Sequence, residues 1–343
     1  MSRSSASPLR SRITRRSVVI ALGFTVVLFF SIRQSNVLPT LLLPEVSRLI
    51  ANATPIYLLL ALAASAATYP LRGLRWRRVL RAAGLVISRR AATEILALSF
   101  WVNVLLPAKL GDVYRAWLLK HNGATSFGGA MGSVVAERLV DLATVALLGG
   151  ASALVAFNGR LSTTVSLLVG IALLVAAGAL AILLVSRGLG AKIVKRLPLP
   201  ARVREPLLRA VTALHAGTGG SMVAQITPYS LGIWALESLR LGLVAGALGL
   251  FAVSPEVGMI GISAVVFTAL VSAVLTVVPA TPAGIGIVEM GTFGILFGIF
   301  GMSPEQAAAL ALLDRVVGVG SLLVGGAVLF AWSPYRRGVG RLR

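Results

Sequence analysis

Long apolar runs, most of them ending in a cluster of arginines, alternate along the whole chain. Hydrophobic residues make up 57% of the 343 residues and charged residues only 13%, against about 25% in a typical soluble domain. Since a helix needs ~20 apolar residues to cross a bilayer, this content is sufficient for many crossings and excludes a soluble globular fold. The sequence therefore predicts an all-α polytopic membrane protein.

The arginine clusters predict the orientation of these helices. A net charge of +21 would suggest a nucleic-acid partner in a soluble protein, but in a membrane protein basic residues collect in cytoplasmic loops. Only Arg33, Arg48 and Arg160 fall in segments that we expect outside. We therefore expect no nucleic-acid partner, and a multi-pass protein of the plasma (inner) membrane with both termini in the cytoplasm.

Six apolar runs are predicted to cross the membrane completely, and they lie at about residues 18–32, 54–71, 124–157, 161–186, 225–250 and 303–332. The first run follows a basic N-terminal segment, residues 1–17, and resembles an export signal. Because no small-x-small cleavage site follows it, we favour an uncleaved helix. The transmembrane domain would span residues 18–332, with an interfacial, cytoplasmic amphipathic connector at about 187–222 and a basic cytoplasmic tail at 333–343.

Two further segments must enter and leave the membrane on the same side. Arg89 and Arg90 are predicted to be cytoplasmic and the loop at Asn158 external, yet only one full crossing lies between them. Residues 91–122 must then return to the cytoplasm, with Pro107 breaking the first helix. The same count makes residues 257–301 begin and end outside, with a break at 278–286. The predicted fold is six full transmembrane helices plus two re-entrant helical hairpins.

The two hairpins resemble each other in sequence. Residues 107–111 match residues 282–286 at an offset of 175, and residues 138–140 match 315–317 at an offset of 177. Chance similarity between helices rich in glycine and valine is the alternative. The nearly constant offset favours an inverted-topology repeat, with repeat one at about 54–157 and repeat two at about 225–332.

Ionisable residues cluster around the two helix breaks. Each costs ~2.5 to 3.5 kcal/mol at mid-membrane, so each needs a partner, water or a function. Structural ion pairs are the alternative, which helical spacing favours for Asp112/Arg115 and Glu237/Arg240. We expect a polar, substrate-binding cavity formed by Lys109, Gly111, Asp112, Arg115, Glu137, Arg138, Asp141, Glu237, Arg240, Pro282, Gly284, Gly286, Glu289, Asp314 and Arg315.

The hairpin tips suit a phosphate ligand. A half-helix that begins at Gly111 or Gly286 would direct unpaired backbone amides towards the membrane centre. Lys109 adds a positive charge at the first tip, whereas Gly284 occupies the matching position of the second. The alternative is that the Lys109 side chain extends to the cytoplasmic interface.

The residues of common catalytic sites are scarce in this sequence. Cysteine is absent and the two histidines fall in segments predicted to be cytoplasmic, so we expect no metal and no cofactor. The chain contains no Gly-x-Ser-x-Gly elbow, His-Glu-x-x-His pair or Asp-rich diphosphate motif. We therefore expect that it is not an enzyme, although an intramembrane enzyme is an alternative.

Several motifs together resemble the lysylphosphatidylglycerol synthase transmembrane family, whose members are also described as flippase-like. They are Arg72-Gly-Leu-Arg75-Trp76, residues 103–115, Glu137-Arg138-Leu-Val-Asp141, residues 279–289 and Asp314-Arg315. The resemblance covers about residues 53–332 and departs from the family at Ala283, where glycine is common.

This resemblance implies a translocase that moves a phospholipid or a lipid-linked sugar between leaflets by alternating access. The expected partner is a membrane lipid, either an anionic phospholipid or a polyprenyl lipid or glycolipid. No residues remain for a soluble aminoacyl-transferase domain, so synthase activity is not expected from this stand-alone form. The alternative is a noncatalytic partner of a lipid-synthesising enzyme of the envelope.

Overall fold

The computed structural model describes residues 44–185, 189–252, 259–276 and 281–338, together with residues 340 and 342. These residues form helices, and the one β interaction among them is an isolated bridge between Phe251 and Ile260. The predicted first helix at 18–32, the loop at 253–256 and residues 278–280 of the second break lie outside the described residues. The helices are α1 Pro44–Ala51, α2 Pro55–Ala82, α3 Arg89–Leu105, α4 Leu110–His121, α5 Phe127–Ala156, α6 Thr163–Val185, α7 Ala191–Arg196, α8 Ala201–Gly217, α9 Gly220–Ala247, α10 Ile262–Leu275, α11 Ile287–Gly298, α12 Pro304–Arg315 and α13 Ser321–Trp332.

Four described helical segments are long and apolar enough to cross a membrane. They are Pro55–Ala82, Phe127–Ala156, Thr163–Ile182 and Pro304–Trp332. The last one consists of α12 and α13, joined without a break by the π-helical turn Val316–Gly320. The chain is therefore a multi-pass, helical membrane protein. Helix α9 has 28 residues, as α2 does, but is not among these four segments.

Helices α2 and α9 pack antiparallel along most of their length. Gly246, near the end of α9, lies against the ring of Tyr57 near the start of α2, and Gly232 lies against Leu71. Further along α2, Arg78 donates a hydrogen bond to the hydroxyl of Tyr229 at 3.1 Å. The absence of side chains at the two glycines lets the helices approach closely, as is common between membrane helices.

The first hairpin consists of α3 and α4. Its two helices are in close contact, because a Cβ on Gly111 would lie 1.9 Å from the carbonyl oxygen of Ser99. The backbone N–H of Ser88, before α3, donates to the carbonyl of Leu342 at 2.6 Å. The side-chain amide of Asn122, after α4, donates to the carbonyl of Tyr335 at 2.8 Å. Both ends of the hairpin therefore contact the same C-terminal segment.

The second hairpin consists of α10 and α11, joined by a hydrogen bond between the Ser272 and Thr292 hydroxyls. The rings of Phe267, near the middle of α10, and of Phe300, just after α11, pack on Phe157, just after α5, with centroid distances of 5.9 and 5.6 Å. Phe127, at the other end of α5, packs in the cluster around the ends of the first hairpin. Since α5 has 30 residues and is ~45 Å long, the open ends of the two hairpins lie at opposite ends of this helix.

The two tips share an unusual backbone conformation. Ala108 and Lys109 have φ values of 58° and 55°, and Ala283 and Gly284 at the matching positions have φ values of 53° and 73°. Non-glycine residues rarely adopt this left-handed region. The tips then diverge, because α4 begins at Leu110 whereas α11 begins only at Ile287.

The predicted connector contains the short helix α7 and the longer helix α8. Helix α8 packs lengthwise on α5, where Gly128 and Gly132 face the backbone carbonyls of Pro206 and Ala210. A Cβ on either glycine would lie 2.0 or 2.1 Å from those oxygens, so only glycine permits this contact. These two glycines, one helical turn apart, let α8 approach α5 closely.

Candidate functional site

Both hairpin tips line one cavity of about 400 Å³ near the middle of the long helices. Leu106 and Lys109 come from the first tip, and Thr281, Ala283 and Gly284 come from the second. Helices α2, α5, α9, α10 and α12 supply much of the remaining wall, and α3, α4, α11 and α13 add further residues. Residues of the two helix breaks therefore face the same space.

The structure divides the fifteen predicted site residues into two groups. Nine line the cavity: Lys109, Asp112, Arg138, Asp141, Glu237, Arg240, Gly284, Asp314 and Arg315. The other six do not line it: Gly111, Arg115, Glu137, Pro282, Gly286 and Glu289. Arg115, Glu137 and Glu289 are buried and bind residues of the cavity wall or their neighbours.

Two equivalent ion pairs hold the returning half-helices. Arg138 donates two hydrogen bonds of 2.8 Å to Asp112, and Arg315 donates one of 2.7 Å to Glu289. The partners are 26 residues apart in both pairs. Arg315 also donates to the carbonyl of Ala283, at 2.6 Å. Each long helix after a hairpin therefore uses one arginine to fix the half-helix that leaves the tip.

The acids that directly precede these arginines bind the first long helix of each half. Glu137 accepts hydrogen bonds of 2.7 Å from Arg75 of α2 and from Arg115 of α4. Asp314 accepts a hydrogen bond from Arg240 of α9. The predicted pair Asp112/Arg115 belongs to this wider network. Arg115 lies 3.7 Å from Asp112 but only 2.7 Å from Glu137.

One ion pair joins the two halves of the chain across the cavity. Arg72 of α2 donates a 2.8 Å hydrogen bond to Glu237 of α9, which also lies 3.3 Å from Arg240. The Arg72 guanidinium lies 5.1 Å from the ring centroid of Phe100, and that of Arg138 lies 5.5 Å from the same centroid. This ring therefore contacts two cavity arginines.

The predicted crossing ends at residue 71 and would leave Arg72 and Arg75 in a cytoplasmic segment, but the structure buries both side chains. Their exposed fractions are 6% and 1%, and both bind acids of the network. A charge count could have indicated this, because the fifteen predicted site residues include six acids but only five bases. The motif that contains both arginines was noticed only as a family feature.

The prediction of unpaired amides does not hold for the two glycines at which the half-helices were expected to begin. The N–H of Gly111 donates to the side-chain oxygen of Asn103 at 2.8 Å, and the N–H of Gly286 donates to Glu289 at 2.7 Å. Side chains of the hairpins thus satisfy one donor at each tip that a phosphate could otherwise use.

Lys109 is the one cation of this network without an ion pair in the described part of the chain. Each of the six acids Asp112, Glu137, Asp141, Glu237, Glu289 and Asp314 has an arginine partner, and six arginines share them. With Lys109, seven cations face six anions, a surplus of one positive charge. Lys109 is half-buried and lines the cavity. Among the described residues, no group of histidines and acids has a composition suited to a metal ion.

The family model for the lysylphosphatidylglycerol synthase TM region matches residues 17–326. A UPF0104 membrane protein of Methanocaldococcus jannaschii is 30% identical over 67% of this chain and 93% of its own length. Another, from Methanothermobacter thermautotrophicus, is 25% identical over 80% of this chain and 84% of its own length.

A further relative contradicts one prediction. The glycosyltransferase AglD of Haloferax volcanii is 26% identical over 93% of this chain, and the matched region spans 55% of that relative. Its name is that of an enzyme, so the expectation from the sequence that the chain is not an enzyme is corrected. That expectation relied on the absence of three catalytic motifs, and their absence does not exclude an enzyme.

Proposed function

The chain belongs to the lysylphosphatidylglycerol synthase transmembrane family, and we propose that it moves a phosphate-bearing membrane lipid between leaflets. The lipid would be an anionic phospholipid or a polyprenyl-linked sugar. The observation that carries this proposal is a single cavity, lined by both hairpin tips, whose ionised side chains leave Lys109 as a surplus positive charge.

The proposed topology has six full crossings and two re-entrant hairpins that enter from opposite faces of the plasma membrane. It is supported by the contacts of the hairpin ends, which pack at opposite ends of α5. The antiparallel packing of α9 on α2 supports a crossing by α9. The basic tail contacts both ends of the first hairpin, which supports a C-terminus on the same face as that hairpin. We also propose a cytoplasmic N-terminus.

The proposed ligand chemistry follows from the charges of the cavity. Cavity arginines such as Arg138 and Arg240 already bind carboxylates, so their charge is largely neutralised. The Lys109 ammonium has no such partner in the described residues, and an ammonium in a partly dehydrated cavity attracts an anion strongly. A lipid phosphate supplies that anion, while the acyl or polyprenyl chains stay in the bilayer.

The proposed movement is a rocking of repeat one, about 54–157, against repeat two, about 225–332. Within each repeat, an arginine of the long helix holds the half-helix by an ion pair of equal spacing, which makes each repeat a stiff unit. The Arg72–Glu237 pair links the two units across the cavity. Exposure of the cavity to one face and then the other is the usual mechanism of inverted-repeat transporters.

A leaflet-resolved assay tests the proposal. The purified chain is reconstituted in liposomes that contain a headgroup-labelled fluorescent phosphatidylglycerol, and an impermeant reductant quenches the outer leaflet. We expect the inner-leaflet probe to become quenched much faster than in protein-free liposomes, and a labelled neutral glycolipid to move more slowly than the phospholipid. Rates equal to those of protein-free liposomes for phosphatidylglycerol and for a polyprenyl phosphate would contradict the proposal.

Glycosyl transfer to a membrane lipid is a second candidate function, favoured by the AglD relative that covers most of this chain. The cavity would then hold the phosphate of a lipid that accepts or donates a sugar. Incubation of the reconstituted protein with a polyprenyl phosphate and a radiolabelled nucleotide sugar distinguishes the two functions. A labelled lipid product would favour transfer, and movement without a product would favour translocation.

A further inference from the structure

A second cavity, of about 380 Å³, lies at the C-terminal end of α2. Its lining consists of Arg77, Arg78, Arg81, Arg89, Leu74 and Tyr229. It shares the helices α2 and α9 with the central cavity but has no lining residue in common with it. Four arginines and no acid therefore face one small space.

Two of these arginines are held in place through the inner nitrogen of the guanidinium. The Nε of Arg77 donates to the carbonyl of Ile87 at 2.6 Å, and the Nε of Arg78 donates to the Tyr229 hydroxyl at 3.1 Å. The Arg78 guanidinium also lies 5.0 Å from the Tyr229 ring centroid. Each anchor leaves the terminal nitrogens available, and these form the planar fork that binds phosphate oxygens.

The four arginines have no ion pair within the described part of the chain. The nearest acid in sequence, Glu94, pairs with Arg90 at 3.5 Å. In the central cavity, by contrast, every arginine has a carboxylate partner. Four positive charges around one cavity repel each other unless water or an anion lies between them. If these arginines only determined the membrane topology, their charge would be sufficient. That role would require neither a cavity nor two anchored guanidiniums.

We propose that this arginine pocket binds a phosphate group, as a phosphomonoester or a diphosphate, at the membrane surface. The group could belong to a lipid headgroup or to a soluble compound, because both present the same oxygens. The pocket would be a separate site from the central cavity. The proposal does not depend on translocation, since it concerns binding alone.

The test measures equilibrium binding of two probes to the full chain in neutral detergent: short-chain phosphatidic acid and inorganic pyrophosphate. All proteins carry Lys109→Met, so that phosphate binding in the central cavity is weakened. The pocket variant is Arg78→Gln/Arg89→Gln. The control is Arg202→Gln/Arg204→Gln, which removes two exposed arginines of α8.

We expect the pocket variant to bind at least one probe about tenfold more weakly, or worse, than the control. Loss for phosphatidic acid alone assigns the pocket to a lipid headgroup, and loss for both probes extends it to soluble phosphates. The proposal is overturned if the affinities of the pocket variant for both probes stay within about twofold of the control. It is also overturned if the protein that carries Lys109→Met alone binds neither probe. If the double variant does not fold, Arg89→Gln alone repeats the test, because this exposed side chain makes no hydrogen bond or ion pair in the described residues.

Discussion

Glu137→Gln removes the carboxylate that lies between two buried arginines. The side chains of Arg75 and Arg115 are 1% and 0% exposed, and each donates a hydrogen bond of 2.7 Å to Glu137. Glutamine keeps the shape and one acceptor but no charge. The variant therefore tests whether the network requires the negative charge of this residue.

After this change, the two arginines differ in how close their remaining carboxylate partner lies. Arg75 keeps Asp141, which accepts a second hydrogen bond of 2.9 Å, whereas Arg115 keeps only Asp112 at 3.7 Å. Breaking a buried ion pair costs about 3 to 5 kcal/mol. Since only Arg115 becomes poorly compensated, we expect a loss near about 3 kcal/mol, the lower end of this range.

The matched control is Glu205→Gln on α8. Its partner Arg209 lies at 3.4 Å, and the two side chains are 65% and 59% exposed, so we expect a loss of only about 0 to 1 kcal/mol. Thermal unfolding in detergent, followed by tryptophan fluorescence, compares the two variants. At roughly 2 °C per kcal/mol, Tm should fall by about 6 °C for Glu137→Gln. Equal Tm values for the two variants would refute the reasoning.

Three further predictions use matched variants. Arg138→Gln and Arg315→Gln should slow lipid movement in the liposome assay while membrane expression stays near normal, because these side chains are 31% and 17% exposed; degradation of both variants would instead indicate a purely structural role. Gly326→Ala should lower stability by about 1 to 3 kcal/mol, since its Cβ would lie 2.2 Å from Trp101, whereas Gly325→Ala meets nothing within 4 Å and should leave Tm almost unchanged; similar Tm values would argue against this helix contact. In the chain without native cysteines, an impermeant thiol reagent on intact cells should label Met259→Cys but not Lys120→Cys, and the reverse pattern would rule out the proposed topology.

The sequence predicts which charged residues lie near each other better than it predicts which of them form ion pairs. Proline and glycine identified the two breaks, because few residues tolerate the backbone that a break requires. Matching offsets identified Arg138 and Arg315, which do bind equivalent half-helices. The partners depend on how helices rotate against each other, and that rotation is decided by packing along their whole length.

Two errors have specific physical causes. Arg72 and Arg75 were placed in a cytoplasmic segment because they begin a run of arginines, yet α2 continues to Ala82 and both side chains are buried within the protein. The Gly111 amide was expected to be free because half-helix ends leave donors unpaired, but Asn103 of the preceding helix accepts its hydrogen bond. A side chain eight residues earlier satisfies this donor only once the hairpin has formed.

The central claim is that the surplus charge of Lys109 selects a lipid phosphate, and Lys109→Met tests it most directly. This change keeps much of the stem and removes the ammonium, one charge-assisted contact worth about 1.5 to 3 kcal/mol. The measurement is the affinity of the purified chain for phosphatidylglycerol and for a neutral glycolipid, compared between the variant and the wild type. We predict that the phospholipid binds about tenfold more weakly, or worse, to the variant, while the glycolipid binds almost equally well. Equal losses for the two lipids, or no loss for either, would contradict the claim.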